Sequence, residues 1–90
     1  MADSAGPTRS ELEALWRRRV WETRSRYLRA SARFDRVIRE QVEGLTPVPD
    51  GYYAVRNAGI VQSAALREYT RVLNILTDLM VHGRMPPPQE

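Results

Sequence analysis

Between residues 10 and 43 the apolar positions fall in one narrow stripe. Trp16, Val20, Thr23, Tyr27, Ala30, Phe34, Val37 and Gln41 alternate spacings of four and three, the repeat that keeps a line of side chains on one side of an α-helix. Thr23 and Gln41 are its polar members, and Leu12 and Ile38 flank it. No glycine or proline interrupts the stretch before Gly44. The pattern therefore predicts one helix over about residues 10–43, roughly 50 Å long at about 1.5 Å per residue. Two overlapping start signals precede it. Thr8 with Glu11, and Ser10 with Glu13, each fit a capping box, in which a hydroxyl and a carboxylate satisfy unpaired backbone amides. GLTPVPDG (44–51) ends the helix, because Gly44 can turn left-handed and Pro47 and Pro49 cannot continue it. Asp50 then fits the N-cap of a second helix over about residues 51–82, closed by Gly83. Residues 1–9, small and polar around Gly6 and Pro7, read as a disordered arm, and 84–90, with Pro86, Pro87 and Pro88, as an extended tail. The expected fold class is all-α: a two-helix antiparallel hairpin.

The second helix has a different wheel. Val55, Ala58, Val61, Ala65, Leu66, Tyr69, Val72, Leu73, Ile75, Leu76, Leu79 and Met80 cover about half its circumference. Its polar strip is thin: Arg56, Arg67, Arg71, Asn74 and Asp78. One narrow stripe cannot cover a half-circumference, and a lone hairpin would leave a row of Leu, Val and Met in water. The pattern thus predicts self-association, with a dimer favoured, as a four-helix bundle with the second helices central. Leu66, Tyr69, Leu73, Leu76 and Met80 are the expected association face. Trp16, Val20, Tyr27, Phe34 and Val37 are the expected hairpin seam. The small residues Ala54, Ala58, Gly59, Ser63, Ala64 and Ala65 would let helices approach closely near the start of the second helix.

Charge adds a second theme. All 14 basic residues are arginine, against 11 acidic ones, a choice that a GC-rich coding background explains as readily as a need for bidentate contacts. Nine arginines lie between Trp16 and Arg39 with only Glu22 and Asp35 against them. In LWRRRVW (15–21) the stripe claims Trp16 and Val20, so Arg17, Arg18 and Arg19 fan over the flanks, and Trp21 joins Leu28 in a secondary apolar strip. Arg18–Glu22, Glu22–Arg26, Asp35–Arg39 and Arg36–Glu40 have the spacing of helix-surface ion pairs. Arg17, Arg19, Arg24, Arg29 and Arg33 have no equally good partner and are the candidate anion-binding residues. A solvated helix exterior remains the plainer explanation of them.

Catalytic chemistry finds no purchase in this sequence. His82, the only histidine, stands beside Gly83 at a helix end, where it suits the dipole. There is no Glu-x-x-His for a di-iron bundle, no phosphate loop and no nucleophile elbow, and without cysteine there is neither a disulfide nor a thiolate metal site. Tyr52 and Tyr53 suit capping of the bundle end. The prolines of GRMPPPQE (83–90) make only a weak groove ligand. With no apolar leader and no long apolar run, a cytoplasmic protein off the membrane is the expectation. The leading reading is a non-enzymatic, cofactor-free interaction module: an adaptor, small chaperone or accessory subunit, self-associating and with a protein partner still to be identified. A dimeric binder of nucleic acid or another polyanion, using the arginine-rich face of the first helix, ranks second, and an enzyme with a site between subunits last.

Overall fold

The computed structural model of the chain describes residues 6–44 and 49–87. It contains two long helices, α1 (Arg9–Val42) and α2 (Asp50–His82), packed against each other as a hairpin. Most of the expected arm (1–5), the expected turn around Pro47 (45–48) and the tail from Pro88 onward lie outside the described residues.

The first of the two start signals is the one used. The backbone N–H of Glu11 donates to Thr8 Oγ1 at 3.1 Å, and the N–H of Thr8 donates to Glu11 Oε1 at 2.8 Å. Glu13 of the second signal turns instead to Arg9 at 3.2 Å and Arg17 at 3.6 Å. Asp50 is not the cap of α2. Pro49 occupies that position without a side-chain cap bond, and Asp50 is the first helical residue, where its carboxylate meets the positive end of the helix dipole. At the far end Gly83 takes φ 67°, and the Arg84 N–H folds back to the Asp78 carbonyl at 3.1 Å, a closure that left-handed glycine permits.

The start of α1 lies beside the end of α2, so the helices run antiparallel. The Arg9 guanidinium donates to the Leu79 carbonyl at 2.9 Å and the Met80 carbonyl at 3.1 Å. These are among the last carbonyls of α2, which have no amide of their own helix to accept from.

The contact face of α1 is its stripe. Trp16, Thr23 and Ala30 are buried, and Val20, Tyr27, Phe34, Val37 and Gln41 are half-buried. The buried Thr23 hydroxyl donates back to the Arg19 and Val20 carbonyls at 2.8 and 3.1 Å, so its burial leaves no polar group unpaired. Gln41 Oε1, packed against Gly51, has no partner among the described residues. Facing them on α2 are buried Ala58, Val72, Leu76 and Leu79. The core is unequal along its length. Trp16, Val72, Leu76 and Leu79, backed by Leu12, Val20 and Ile75, fill the end away from the turn. Toward the turn the buried side chains shrink to Ala30 and Ala58, and Phe34 lies so close over Gly59 that an added Cβ would meet its ring at 3.2 Å. Tyr27 and Tyr69 stack between the two zones with centroids 6.2 Å apart.

The result is a rod of 65 × 21 × 15 Å with a radius of gyration of 18.8 Å, against about 12 Å for a compact chain of this length. Trp16 is 1% exposed and Leu28 47%. Urea unfolding should therefore show Trp16→Ala losing about 3–5 kcal/mol, the range for truncating a buried aromatic. Leu28→Ala should lose less than about 1 kcal/mol, and the half-buried Phe34→Ala should fall between them.

Candidate functional site

The hairpin has two long sides, and its heptad register decides what each carries. On α2 the inward rows are Val55, Gln62, Tyr69, Leu76 and Ala58, Ala65, Val72, Leu79. One position along from the second row run Tyr52, Gly59, Leu66, Leu73 and Met80, seven residues apart. Across the seam from them α1 presents Arg17, Arg24, Ser31 and Ile38, and one step outward Trp21, Leu28, Asp35 and Val42. Two contacts tie this side together: Arg17 Nη2 lies 3.9 Å from Met80 Sδ, and Gln62 Nε2 donates to Ser31 Oγ at 3.0 Å. Much of it is apolar and open to water. Trp21 is 64% exposed, Leu28 47%, Leu66 43%, Met80 42% and Leu73 38%.

Three of the five residues expected on the association face, Leu66, Leu73 and Met80, share this side. The other two do not. Leu76 is buried in the core between the helices, and Tyr69 is half-buried in its stack on Tyr27. The apolar half-circumference of α2 holds three rows, and packing on α1 turns the rows of Tyr69 and Leu76 inward.

The opposite side is basic. Arg19, Arg26 and Arg33 form its inner row on α1, with Glu22, Arg29 and Arg36 outside them. Facing them on α2 are Ile75, Glu68 and Val61, then Arg71 and Ala64. Here Arg71 holds Glu68 in a fork at 3.0 and 2.6 Å. That hydrogen bond, helped by the charges of Arg71 and Arg26 and opposed by desolvation, keeps the Glu68 carboxyl below its ordinary pKa. Beside this pair opens a groove of about 510 Å³. Its floor is Ala30, Val61, Ala64 and Ala65, and its walls are Arg26, Arg29, Arg33 and Glu68.

The five candidate arginines therefore do not form one face. Arg17 and Arg24 belong to the apolar side, and Arg19, Arg29 and Arg33 to the basic side, because positions two or five apart on a helix fall on opposite flanks of the seam. Several also have structural work. Arg17 pairs with Glu13 at 3.6 Å, Arg19 lies over the Trp16 ring at 4.6 Å, and Arg24 over the Trp21 ring at 5.6 Å. Among the ion pairs of the described residues, none of the four expected surface pairs, Arg18–Glu22, Glu22–Arg26, Asp35–Arg39 and Arg36–Glu40, is closed. Each would be worth only about 0.2–0.5 kcal/mol, so leaving them open costs the helix little. Arg26, assigned to such a pair, lines the groove instead; it stands seven residues from both Arg19 and Arg33, and that spacing marks the row.

The remaining candidates are quickly placed. His82 is exposed in the last turn of α2. Tyr52 and Tyr53 meet edge to face at 5.7 Å near the turn, both exposed. Met85, Pro86 and Pro87 fold back toward Leu12, Leu15 and Trp16. Among the described residues no three His, Asp or Glu gather where they could hold a metal ion, and no helix is long and apolar enough to cross a membrane. No protein-family model, curated protein or solved structure matches the chain.

Glu68 gives a pH test of the basic side. Its carboxyl has a depressed pKa when folded, so its contribution is complete above the carboxylate range and fades as pH falls through the folded value. The side chain is 44% exposed, and solvent screening limits the effect to below about 1 kcal/mol. Glu68→Gln should be slightly less stable than wild type at neutral pH, and urea midpoints of the two should converge in acid.

Proposed function

We propose that this chain is a non-enzymatic helical interaction module that associates with a second copy through the side bearing Leu66, Leu73 and Met80. The observation that carries the reading is the row of exposed Leu66, Leu73 and Met80 along that one side, with Trp21 and Leu28 exposed further out on α1, beyond Arg17 and Arg24. Two hairpins joined there would form a four-helix bundle with α2 central, and would remove from water a patch that isolated soluble proteins seldom carry. The stems of Arg17 and Arg24 need not obstruct it. A guanidinium can keep its charge in water while its methylenes cover apolar surface. Such a module suits an adaptor, a small chaperone or an accessory subunit of a larger assembly.

A second reading rests on the other side. Arg19, Arg26 and Arg33 in one row, with Arg29 and Arg36 beyond, form a basic strip that nucleic acid or another polyanion could meet. Such binding would weaken steeply with salt as counterions are released.

Light scattering tests the leading reading. Wild type should show at least twice the mass of one chain at micromolar concentration. Leu73→Glu, at a position exposed in the hairpin, should shift it to one chain with its helix content retained. Leu76→Glu should instead unfold the hairpin, because it buries a charge between the helices. A well-folded wild-type monomer under these conditions overturns the proposal. Salt-sensitive binding to a DNA or RNA oligomer by anisotropy would promote the second reading.

A further inference from the structure

We infer that the groove on the basic side, floored by Ala30, Val61 and Ala64 and fenced by Arg29 and Arg33, is a docking site for an acidic amphipathic helix of a different protein. The floor sets the first requirement. Val61 is 54% exposed and Ala64 is exposed as well, so apolar surface lies open at the bottom of a channel between two helices. The nearby Thr23 hydroxyl is already donated to backbone carbonyls, and the floor residues have no polar side-chain atom of their own. On the floor itself a phosphate or base edge would find no hydrogen-bond donor, and the donors stand only in the arginine walls. An apolar helix face would find matching surface, and side chains this small admit a helix near the close end of the usual 8–10 Å axial separation.

The walls set the second requirement. Arg29 and Arg33 are one turn apart on α1, both exposed, and neither makes a hydrogen bond or ion pair among the described residues. Arg26, the next wall residue, already acts on Glu68. Two unpaired guanidiniums at a spacing of four match carboxylates three or four apart on an opposing helix, and planar guanidinium suits bidentate carboxylate contact. Apolar centre and charged edge together describe an amphipathic helix with glutamate or aspartate flanks.

A second copy of this chain does not meet that description. Within α1 there are ten arginines against Glu11, Glu13, Glu22, Asp35 and Glu40. In α2 the acidic residues Asp50, Glu68 and Asp78 are balanced by Arg56, Arg67 and Arg71 and too far apart to form an edge. Docking of a copy's α1 would bring arginine to arginine, and its α2 offers no acidic edge. The groove also lies across the seam from Leu66, Leu73 and Met80, so this inference does not rest on self-association.

Fluorescence anisotropy with the full chain tests it. The probe is a labelled synthetic helix of about three heptads, Leu and Ala on one face and Glu on both flanks. Its comparators are the same helix with Lys flanks, disordered polyglutamate and a single-stranded DNA oligomer. The Glu-flanked helix should bind saturably, and the Lys-flanked helix should not. The double variant Arg29→Glu, Arg33→Glu should weaken binding by about tenfold or more. Val61→Asn should weaken the helix but leave any residual polyglutamate or DNA binding unchanged. All three positions are exposed, so circular dichroism should show the fold retained, and Leu73→Glu should alter the mass without altering helix binding. Failure of the Glu-flanked helix to bind overturns the inference, as does binding indifferent to Val61. Binding of DNA in preference to the helix assigns the groove to nucleic acid instead.

Discussion

Burial of Trp16 against Val72, Leu76 and Leu79 is what keeps two helices of this length together. A hairpin is held at one end by chain connectivity and at the other only by packing. The largest buried side chains, Trp16, Leu79 and Val72, lie at the end where connectivity gives no help. Arg9 reinforces the same end by bonding the Leu79 and Met80 carbonyls of the last turn of α2. Fraying of either terminus must therefore break both an apolar cluster and a charge-assisted hydrogen bond.

A strong open end lets the other half be thin, and the thin half is where surface becomes available. Alanines and Gly59 bring the helices close near the turn, but small residues cannot fill the flanks of the seam as Trp16 and Leu79 do. On one flank this leaves a groove edged by arginine. On the other it leaves Leu66 and Leu28 uncovered. The groove thus follows from one packing choice, the concentration of bulk at the open end. The association row, by contrast, runs along α2 and keeps Leu73 and Met80 exposed beside the full core as well. The two surfaces lie on opposite sides and could be occupied together.

Both helices and their packing were legible in the sequence, because a stripe of alternating three- and four-residue spacings admits one reading. The cap at Thr8 and the stop at Gly83 rest on local chemistry that sequence displays directly. What escaped was whatever depended on the partner helix. On α2 three apolar rows compete for two inward places, and only contact with α1 decides that Tyr69 and Leu76 go in while Leu66 and Leu73 stay out. The arginines looked like one face because a list of positions does not reveal that the seam divides them. The groove needed both helices in register. The unclosed ion pairs show another limit: correct spacing makes a pair geometrically open to two side chains but does not fix them there. Association itself is a property of two chains, and one chain's pattern can only point toward it.

The absence of lysine takes on a different meaning beside these contacts. Arg9 reaches two carbonyls through Nη2 while its Nε donates to Glu13, and Arg71 grips Glu68 through two nitrogens. Arg19 and Arg24 lie over tryptophan rings, contacts in which a planar cation gains stacking as well as charge. A lysine ammonium, a compact and strongly hydrated charge, would reproduce none of these contacts as well. A GC-rich coding background would supply arginine at every basic position alike, including Arg18, whose exposed side chain gives no reason to prefer it. At four positions, then, the geometry gives arginine a physical advantage, while at the solvated ones it does not. Arg29 and Arg33 belong with the first group only if something planar and anionic comes to meet them.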